Sequence, residues 1–179
     1  MPRRIPSPLA LGLISAAAAA LALLPGCAGQ KPAGTALACG QLPGAVGQLP
    51  GLRPGLRPGL RITQAANQPA DDKGHPAHCL VTGQINERTG VDGKHYAIGF
   101  EMRLPQGWNQ RFLHQVNGGN DGVVKPALGD LGVLAQDALS RGFAVVSSDS
   151  GHNAEDPASL ALGLARGNAF GLDPQARRD

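Results

Sequence analysis

A glycine-rich loop carries the clearest candidate chemistry in this sequence. Residues 117–122 read Asn-Gly-Gly-Asn-Asp-Gly and follow directly on a β-prone run, Arg111 to Val116. Open α/β sheets bind ligands at the carboxyl ends of their strands, and backbone N–H groups in a glycine turn can face the bound group. Donors placed in this way stabilise the oxyanion that forms when a carbonyl carbon is attacked. The loop therefore predicts an oxyanion hole, although glycine-rich turns without such a role are also common.

A hydrolase that uses an oxyanion hole also needs a nucleophile and a base, and these two groups are not evident in the sequence. A nucleophile must converge with a base, and no Ser lies in a Gly-x-Ser-x-Gly frame. Residues 148–152 read Ser-Asp-Ser-Gly-His, but the members of a triad come from separate loops. We interpret this run as a strand-end turn in which Asp149 and His152 bond to neighbouring backbone. His114, in the middle of a strand, is expected to be packed or to be paired with a polar partner.

Metal and cofactor sites are not predicted in this chain. The segment His75-Pro76-Ala77-His78-Cys79 has ligand-type side chains, but no second ligand pair follows at a suitable spacing. Pro76 also disfavours a helix that would present both His side chains.

The loop is expected to lie within a βαβ unit. Strands Arg111–Val116 and Phe143–Ser148 flank a predicted helix over residues 130–141, in which Leu and Ala recur at helical spacing. Asp130 would cap the start of this helix and Gly142 its end. Such a unit crosses over right-handed and makes its two strands parallel, and the continuous apolar run predicts that the second strand is buried on both faces.

A β-hairpin is predicted upstream of this unit. Cys79–Asn86 and Tyr96–Leu104 alternate in polarity, and Arg61–Ala65 could add a short strand. The fold class is therefore α/β, a hairpin followed by a βαβ unit, over a domain at residues 61–179. Asp173-Pro174 resembles the start of a further helix. Because the sequence stops soon after it, we interpret the sheet as incomplete and the domain as truncated.

The N-terminus is predicted to be an export signal, residues 1–27. Arg3 and Arg4 precede an apolar run, Leu9 to Leu24, which is short for a membrane span and ends at Pro-Gly. A small residue followed by Cys27 resembles a bacterial lipobox, so Cys27 is predicted to be lipidated. The alternative is ordinary secretion with an incidental Cys. We expect an exported protein, either lipid-anchored at the periplasmic or outer-membrane surface or secreted.

Residues 28–60 are predicted to form a tether and a Pro/Gly/Arg repeat loop. Arg-Pro-Gly-Leu recurs with a period of four between Leu49 and Arg61. We favour a surface loop lengthened by duplication, which costs little loop-closure entropy, over a basic polyproline II arm.

Two cysteines remain besides Cys27. Cys39 and Cys79 form an even pair in an oxidising compartment, which predicts a disulfide between them. The alternative is that each pairs with a cysteine outside this chain.

Charge and aromatic content exclude a nucleic-acid partner. Without Arg3 and Arg4 the 16 basic residues fall to 14 against 13 acidic ones, so the net charge of the exported chain is about +1. Only six aromatic residues are present, too few to build stacking platforms for single strands. A membrane contact is expected only through the lipid anchor.

Several motifs in the second half of the chain resemble the tannase and feruloyl esterase family. They occur in the family's order over the last hundred or so residues. They are His78-Cys79-x-Val81-x-Gly83, Arg88-Thr89-Gly90-x-Asp92-Gly93, Leu104-Pro105-x-x-Trp108-Asn109-x-Arg111-Phe112, Gly118-Gly119, Ala138-Leu139-Ser140-Arg141, Ser148-Asp149-x-Gly151-His152 and Phe170-Gly171-Leu172-Asp173-Pro174-Gln175-Ala176-Arg177.

This resemblance implies a secreted serine esterase with an α/β-hydrolase core and a later lid that holds calcium. Gly119 would supply an oxyanion-hole N–H, while Gly118 and Asn120 would line the substrate site. The nucleophilic Ser and the triad Asp and His have no counterpart in this chain. Gln110 replaces a Gly of the family pattern, a loop-tip change with little expected effect.

The implied substrates are aromatic or phenolic esters of the feruloyl, galloyl or terephthalate type. Gly118 stands where the terephthalate-cleaving member of the family has Ser. A Gly at this position is more like the general esterases. The predicted function is thus a carboxylic ester hydrolase, of which this chain alone is expected to be inactive. The alternative is a non-catalytic secreted lipoprotein, either a binding module or a gene remnant.

Overall fold

A five-stranded mixed sheet forms the centre of the fold. A computed structural model describes residues 37–46, 59–118, 122–130, 132, 135–154 and 157–178, all within one compact unit. The strands, in chain order, are β1 (Leu60–Gln68), β2 (His78–Thr89), β3 (His95–Pro105), β4 (Phe112–Gln115) and β5 (Ala144–Ser148). They lie in the order β1-β2-β3-β5-β4, with β4 and β5 parallel and the other neighbours antiparallel.

The predicted hairpin is confirmed and is longer than expected. β2 and β3 pair from His78 opposite Pro105 to Thr89 opposite His95. The strand predicted near Arg61 is also present, and β1 pairs with β2 along its whole length. Alternation was a reliable signal here because one side of these strands is apolar and the other is polar.

The predicted βαβ unit is correct in its strands and wrong in its helix. β4 and β5 are parallel neighbours, but none of the described residues within 130–141 is helical. Leu139 N–H instead donates to the Leu128 carbonyl at 3.0 Å. Gly129 and Gly132 both have a φ of 68°, in the left-handed region, which interrupts a helix where the spacing predicted one. The apolar spacing reflects a loop that folds back onto the sheet.

The two faces of the sheet differ sharply. On one face the loop residues Ala127, Ala138 and Leu139 form a buried core with Val145 of β5. The other face is an open apolar groove of about 610 Å³. Its strand residues are Leu60, Ile62, Val81, Ile85, Ile98, Phe100, Met102, Leu104, His114, Val146 and Ser148. The prediction that β5 is buried on both faces therefore holds for one face, and His114 is exposed rather than packed.

The predicted disulfide between Cys39 and Cys79 is present, with Cα atoms 5.6 Å apart. A 3-10 turn, Cys39–Gln41, leads into the short helix α1, Leu42–Ala45. Residues 39–45, predicted as part of a tether, are thus held against the sheet by the disulfide to β2. The predicted export signal 1–27 with Cys27, and residues 28–36 and 47–58, lie outside the described residues.

The C-terminal part packs beside the hairpin. It contains α2, Pro157–Leu160, and a 3-10 segment, Gly163–Leu172. The helix predicted to start at Asp173-Pro174 is instead a series of turns, although the Asp173 Oδ1 accepts from the Gln175 and Ala176 N–H groups at 3.0 and 2.8 Å, as a cap residue does. Across the described residues, no helix has the length and apolar character needed to cross a membrane.

Gln110 adopts a backbone conformation that favours glycine. Its φ is 66°, in the left-handed region that side chains with a Cβ rarely occupy. Gln110 stands where the family pattern has Gly. The small effect expected of this change stays a prediction, and the structure adds that Gln110 itself takes the left-handed conformation.

A buried histidine joins two loops. His75 is 8% exposed, and its Nδ1 and Nε2 each lie 2.7 Å from a carboxylate oxygen, of Asp71 and of Asp137. Both ring nitrogens can donate at once only when the ring is protonated. Asp137 also accepts from the Ser140 N–H at 2.7 Å. His75 therefore ties the loop before β2 to the turn before β5 through a charged pair on either side.

His75 is expected to stabilise the fold most at mildly acidic pH. Burial disfavours the charged ring, but hydrogen bonds and charge from Asp71 and Asp137 outweigh it and raise the pKa of His75. The stabilising contribution is then complete below the unfolded pKa of about 6.5 and is lost as the pH rises through the folded pKa. His75→Gln should lower the Tm more at pH 6 than at pH 9.

The matched control for this prediction is His95→Gln. His95 also contacts a carboxylate, Glu87, at 3.1 Å, but its side chain is 50% exposed. Its loss should change the Tm little at either pH, because exposed ion pairs contribute little. An equal loss of Tm for His75→Gln at both pH values would contradict a role for the charged ring.

Candidate functional site

The candidate site lies where the parallel strands β4 and β5 end. Gln115 of β4 pairs with Ser147 of β5, so both strands reach the same edge of the sheet together. The glycine-rich loop leaves β4 at this edge, and the turn 149–152 leaves β5 beside it. This is the edge at which open α/β sheets bind ligands.

Asn117 links the beginning of the loop to the end of β5. Its Nδ2 lies 2.8 Å from the Ser148 carbonyl oxygen and 3.2 Å from Ser147 Oγ, and it approaches the Val123 carbonyl at 3.3 Å. Asn117 was predicted to lie in the loop, but its contacts with β5 were not predicted. A polar residue between a strand and a Gly-Gly pair is the only sign of these contacts in the sequence. Nothing in the sequence identifies its partners, some 30 residues away.

Gly118 is exposed and borders an open cleft of about 370 Å³. The cleft is lined in part by Leu113, His114, Lys125 and Asp130. It has the size of a small-molecule site. The other two predicted site residues, Gly119 and Asn120, lie outside the described residues.

The far end of the glycine-rich loop is also anchored. Gly122 is buried with a φ of 60°, and its carbonyl accepts from the Ala154 N–H at 2.9 Å. A Cβ at Gly122 would lie 2.5 Å from the His152 carbonyl oxygen, so only glycine fits this close approach. The start of the loop therefore contacts the end of β5, and its far end contacts the segment that follows β5.

The strand-end turn predicted at Asp149 is confirmed. Asp149 is 8% exposed, and its Oδ1 accepts from the Gly99 N–H at 3.0 Å and the Gly151 N–H at 2.8 Å. Burial raises the pKa of Asp149, and these N–H donors only partly offset that effect. The Asp149 carboxylate thus accepts hydrogen bonds from the backbone of β3 and of the turn.

His152 differs from its prediction. Its backbone N–H donates to the Asp149 carbonyl at 3.0 Å, as in a turn. Its ring stacks on Phe170, with centroids 3.8 Å apart, and buried Nδ1 has no hydrogen-bond partner within the described part of the chain. Sequence analysis missed this contact, which ties the turn after β5 to the C-terminal segment.

No metal-type cluster of three or more His, Cys, Asp or Glu side chains occurs among the residues that the structure describes. The two His residues weighed as ligands are engaged in other contacts. His75 lies between two carboxylates, and His78, which is buried, has Nδ1 2.8 Å from the Pro76 carbonyl oxygen.

Comparison with known proteins identifies relatives of this chain. It is 44% identical to a mono(2-hydroxyethyl) terephthalate hydrolase from Piscinibacter sakaiensis over 64% of this chain and 19% of that protein. It is 36% identical to an uncharacterised esterase from Agrobacterium fabrum over 53% of this chain and 17% of that protein. A probable feruloyl esterase B-2 from Aspergillus flavus is 46% identical over 34% of this chain and 10% of its own length.

The chain thus spans less than a fifth of the length of each of these relatives. A family model described as tannase and feruloyl esterase matches residues 79–179, from the second residue of β2 onward. The match includes β4, β5 and the candidate site between them. Because it covers more than half of the chain, the chain belongs to the tannase and feruloyl esterase family.

Proposed function

We propose that the protein carrying this chain is a carboxylic ester hydrolase with an α/β-hydrolase fold, of which residues 61–179 form the opening part. One observation carries the proposal. The segment that matches an esterase family contains a glycine-rich loop at the shared edge of two parallel strands. That edge is where an oxyanion hole is needed in such a fold.

The proposed mechanism is serine acyl transfer. A Ser from a part of the protein outside this chain attacks the ester carbonyl, with His and Asp as its base and orienting partner, and an acyl-enzyme forms as the alcohol leaves. The N–H of Gly119 donates to the oxyanion, a contact that contributes roughly 3–4 kcal/mol in other hydrolases. Gly118 and Asn120 line the acyl side of the site. Water then releases the acid.

Aromatic carboxylic esters are the proposed substrates. Two relatives are named for terephthalate monoester and feruloyl ester hydrolysis, which supports aromatic acyl groups of the feruloyl, galloyl or terephthalate type. We further propose export and a lipid anchor at Cys27, no nucleic-acid partner, no cofactor in this chain, and calcium only in a lid outside it.

Ester hydrolysis by the protein expressed from the whole reading frame tests this function. We expect it to release acid from at least one of methyl ferulate, methyl gallate and mono(2-hydroxyethyl) terephthalate, and to be inactivated by a serine-reactive phosphonate. The 179-residue chain alone should be inactive. Mass spectrometry of the same purified protein tests lipidation at Cys27.

A cooperatively folded protein that hydrolyses none of the three esters would refute the proposal. That outcome would favour the alternative of a non-catalytic secreted lipoprotein. If the protein hydrolyses an ester and the phosphonate does not inhibit it, the ester hydrolase proposal stands and the serine mechanism is refuted.

A further inference from the structure

We propose that Asn117 is a positioning residue for the oxyanion-binding loop. Its side chain would hold the backbone of Gly118 in register with the carboxyl end of β5. The inference rests on the proposed function and deepens it, because the family match and the glycine pattern assign no role to this side chain.

The Asn117 Nδ2 makes contacts across the site, whereas its Oδ1 accepts from Gln115 Nε2 at 3.4 Å, two residues earlier in the chain. Nδ2 is 2.8 Å from the Ser148 carbonyl and 3.2 Å from Ser147 Oγ, on the neighbouring strand. Its third neighbour, the Val123 carbonyl at 3.3 Å, lies beyond the other end of the glycine-rich loop. One amide group therefore connects both ends of the loop with the end of β5.

Among the residues that the structure describes, the two neighbours of Asn117 in the chain are open to solvent. Val116 and Gly118, on either side of Asn117, are exposed, and Val116 is 77% accessible to solvent. An oxyanion donor is effective only when it is already aimed before the reaction, and a displacement of about 1 Å can lower a rate about 100-fold. Holding Asn117 by its side-chain amide would fix the backbone that leads through Gly118 to the proposed donor, and so supply such preorganisation.

A second asparagine, at the opposite end of the same pair of strands, offers a matched control. Asn109 lies before the opposite end of β4, where its Nδ2 donates to the Arg141 carbonyl at 2.8 Å. Its Oδ1 accepts from the Arg111 N–H at 2.9 Å. Asn109 and Asn117 therefore make similar side-chain-to-backbone bonds towards the segment of β5, but only Asn117 is at the carboxyl edge.

The test compares Asn117→Asp and Asn117→Ala with Asn109→Asp and Asn109→Ala in the protein expressed from the whole reading frame. We expect the Asn117 variants to lose about 100-fold in kcat with little change in KM, since the donor is misplaced mainly for the transition state. The Asn109 variants should keep kcat and lose only Tm. Inhibition by an arylboronic acid, whose tetrahedral adduct mimics the oxyanion, should weaken only in the Asn117 variants.

Four outcomes would overturn the inference. Folded Asn117 variants that retain kcat would exclude positioning, and an equal loss of kcat in the Asn109 variants would indicate a general structural role. If the Asn117 variants do not fold, Ser147→Ala is the deciding variant, because it removes one hydrogen-bond partner of Asn117 and should lower kcat by a smaller factor. An unchanged kcat in Ser147→Ala would refute the positioning role. Absence of any hydrolysis by the wild-type protein refutes the proposed function itself, and the inference falls with it.

Discussion

Replacing both Cys39 and Cys79 with Ser is expected to lower the free energy of unfolding by about 3–4 kcal/mol. The disulfide closes a loop with a sequence separation of 40 residues, and a loop of that length loses considerable chain entropy when it is cross-linked in the unfolded state. The bond also holds α1 near the sheet, where Leu42 reaches the apolar groove. Its loss therefore releases the N-terminal segment as well as relaxing the unfolded chain.

Urea unfolding of the double variant and the wild-type protein measures this difference. Dithiothreitol should destabilise the wild-type protein by a similar amount and leave the double variant unchanged, which separates the cross-link from the side-chain substitutions. A non-reducing digest should yield a peptide that joins Cys39 to Cys79. Equal unfolding free energies, or cysteines paired outside this chain, would contradict the assignment.

The sequence predicted the strands well because each strand lies on a sheet with one uniformly apolar face. Val81 and Ile85 in β2, and Ile98 and Phe100 in β3, all line the open apolar groove. Alternation is a local signal, so it identified β2 and β3 from their own residues. The register between them was not predicted, and it shifts between Ile85 and Arg88.

The helix predicted over residues 130–141 failed because its apolar spacing had a different cause. Ala138 and Leu139 are buried against Val145, in a loop whose turn is closed by the Asp137 carboxylate and the Ser140 N–H. Gly132 takes a left-handed φ, and glycine costs about 1 kcal/mol in a helix interior. Spacing alone could not distinguish an apolar helix stripe from a loop that buries the same residues.

Contacts between residues far apart in the chain could not be predicted from the sequence. His75 bonds to Asp137 across 62 residues, and Asn117 bonds to Ser148 across 31. Polar side chains carry no periodic signal that could identify such partners. The sequence therefore predicted the place of the candidate site, through its loop and strands, and not the side chains that hold it.

Asp173→Ala is expected to lower the Tm by roughly 10 °C. The substitution removes a buried carboxylate that accepts hydrogen bonds from four donors. Asp173 is 2% exposed. Besides the two N–H groups that it caps, it accepts from Arg88 Nη2 at 2.6 Å and from the Val91 N–H at 3.1 Å. A Cβ at Gly90 would lie 2.7 Å from its Oδ2, so the hairpin turn and the carboxylate fit closely.

The pH dependence of this effect has a definite sign. The Ala176 N–H and the other N–H donors, together with Arg88, lower the pKa of Asp173. A depressed folded pKa means that its contribution is present above the unfolded pKa of about 3.9 and is lost as the pH falls through the folded pKa. The difference in Tm between the wild-type protein and Asp173→Ala should thus be full at pH 7 and shrink in strong acid.

Glu87→Ala is the matched control, because Glu87 of the same hairpin pairs with Arg61 of β1 at 2.7 Å but both side chains are well exposed, at 38% and 54%. Exposed pairs contribute little, so the Tm should change only slightly. Asp173 also fixes the segment whose Phe170 stacks on His152 beside the candidate site. Hydrogen exchange of Asp173→Ala should therefore rise at residues 149–153 as well as at the hairpin turn. Equal losses of Tm in the two variants, or exchange confined to the hairpin turn, would show that Asp173 does not couple the two regions.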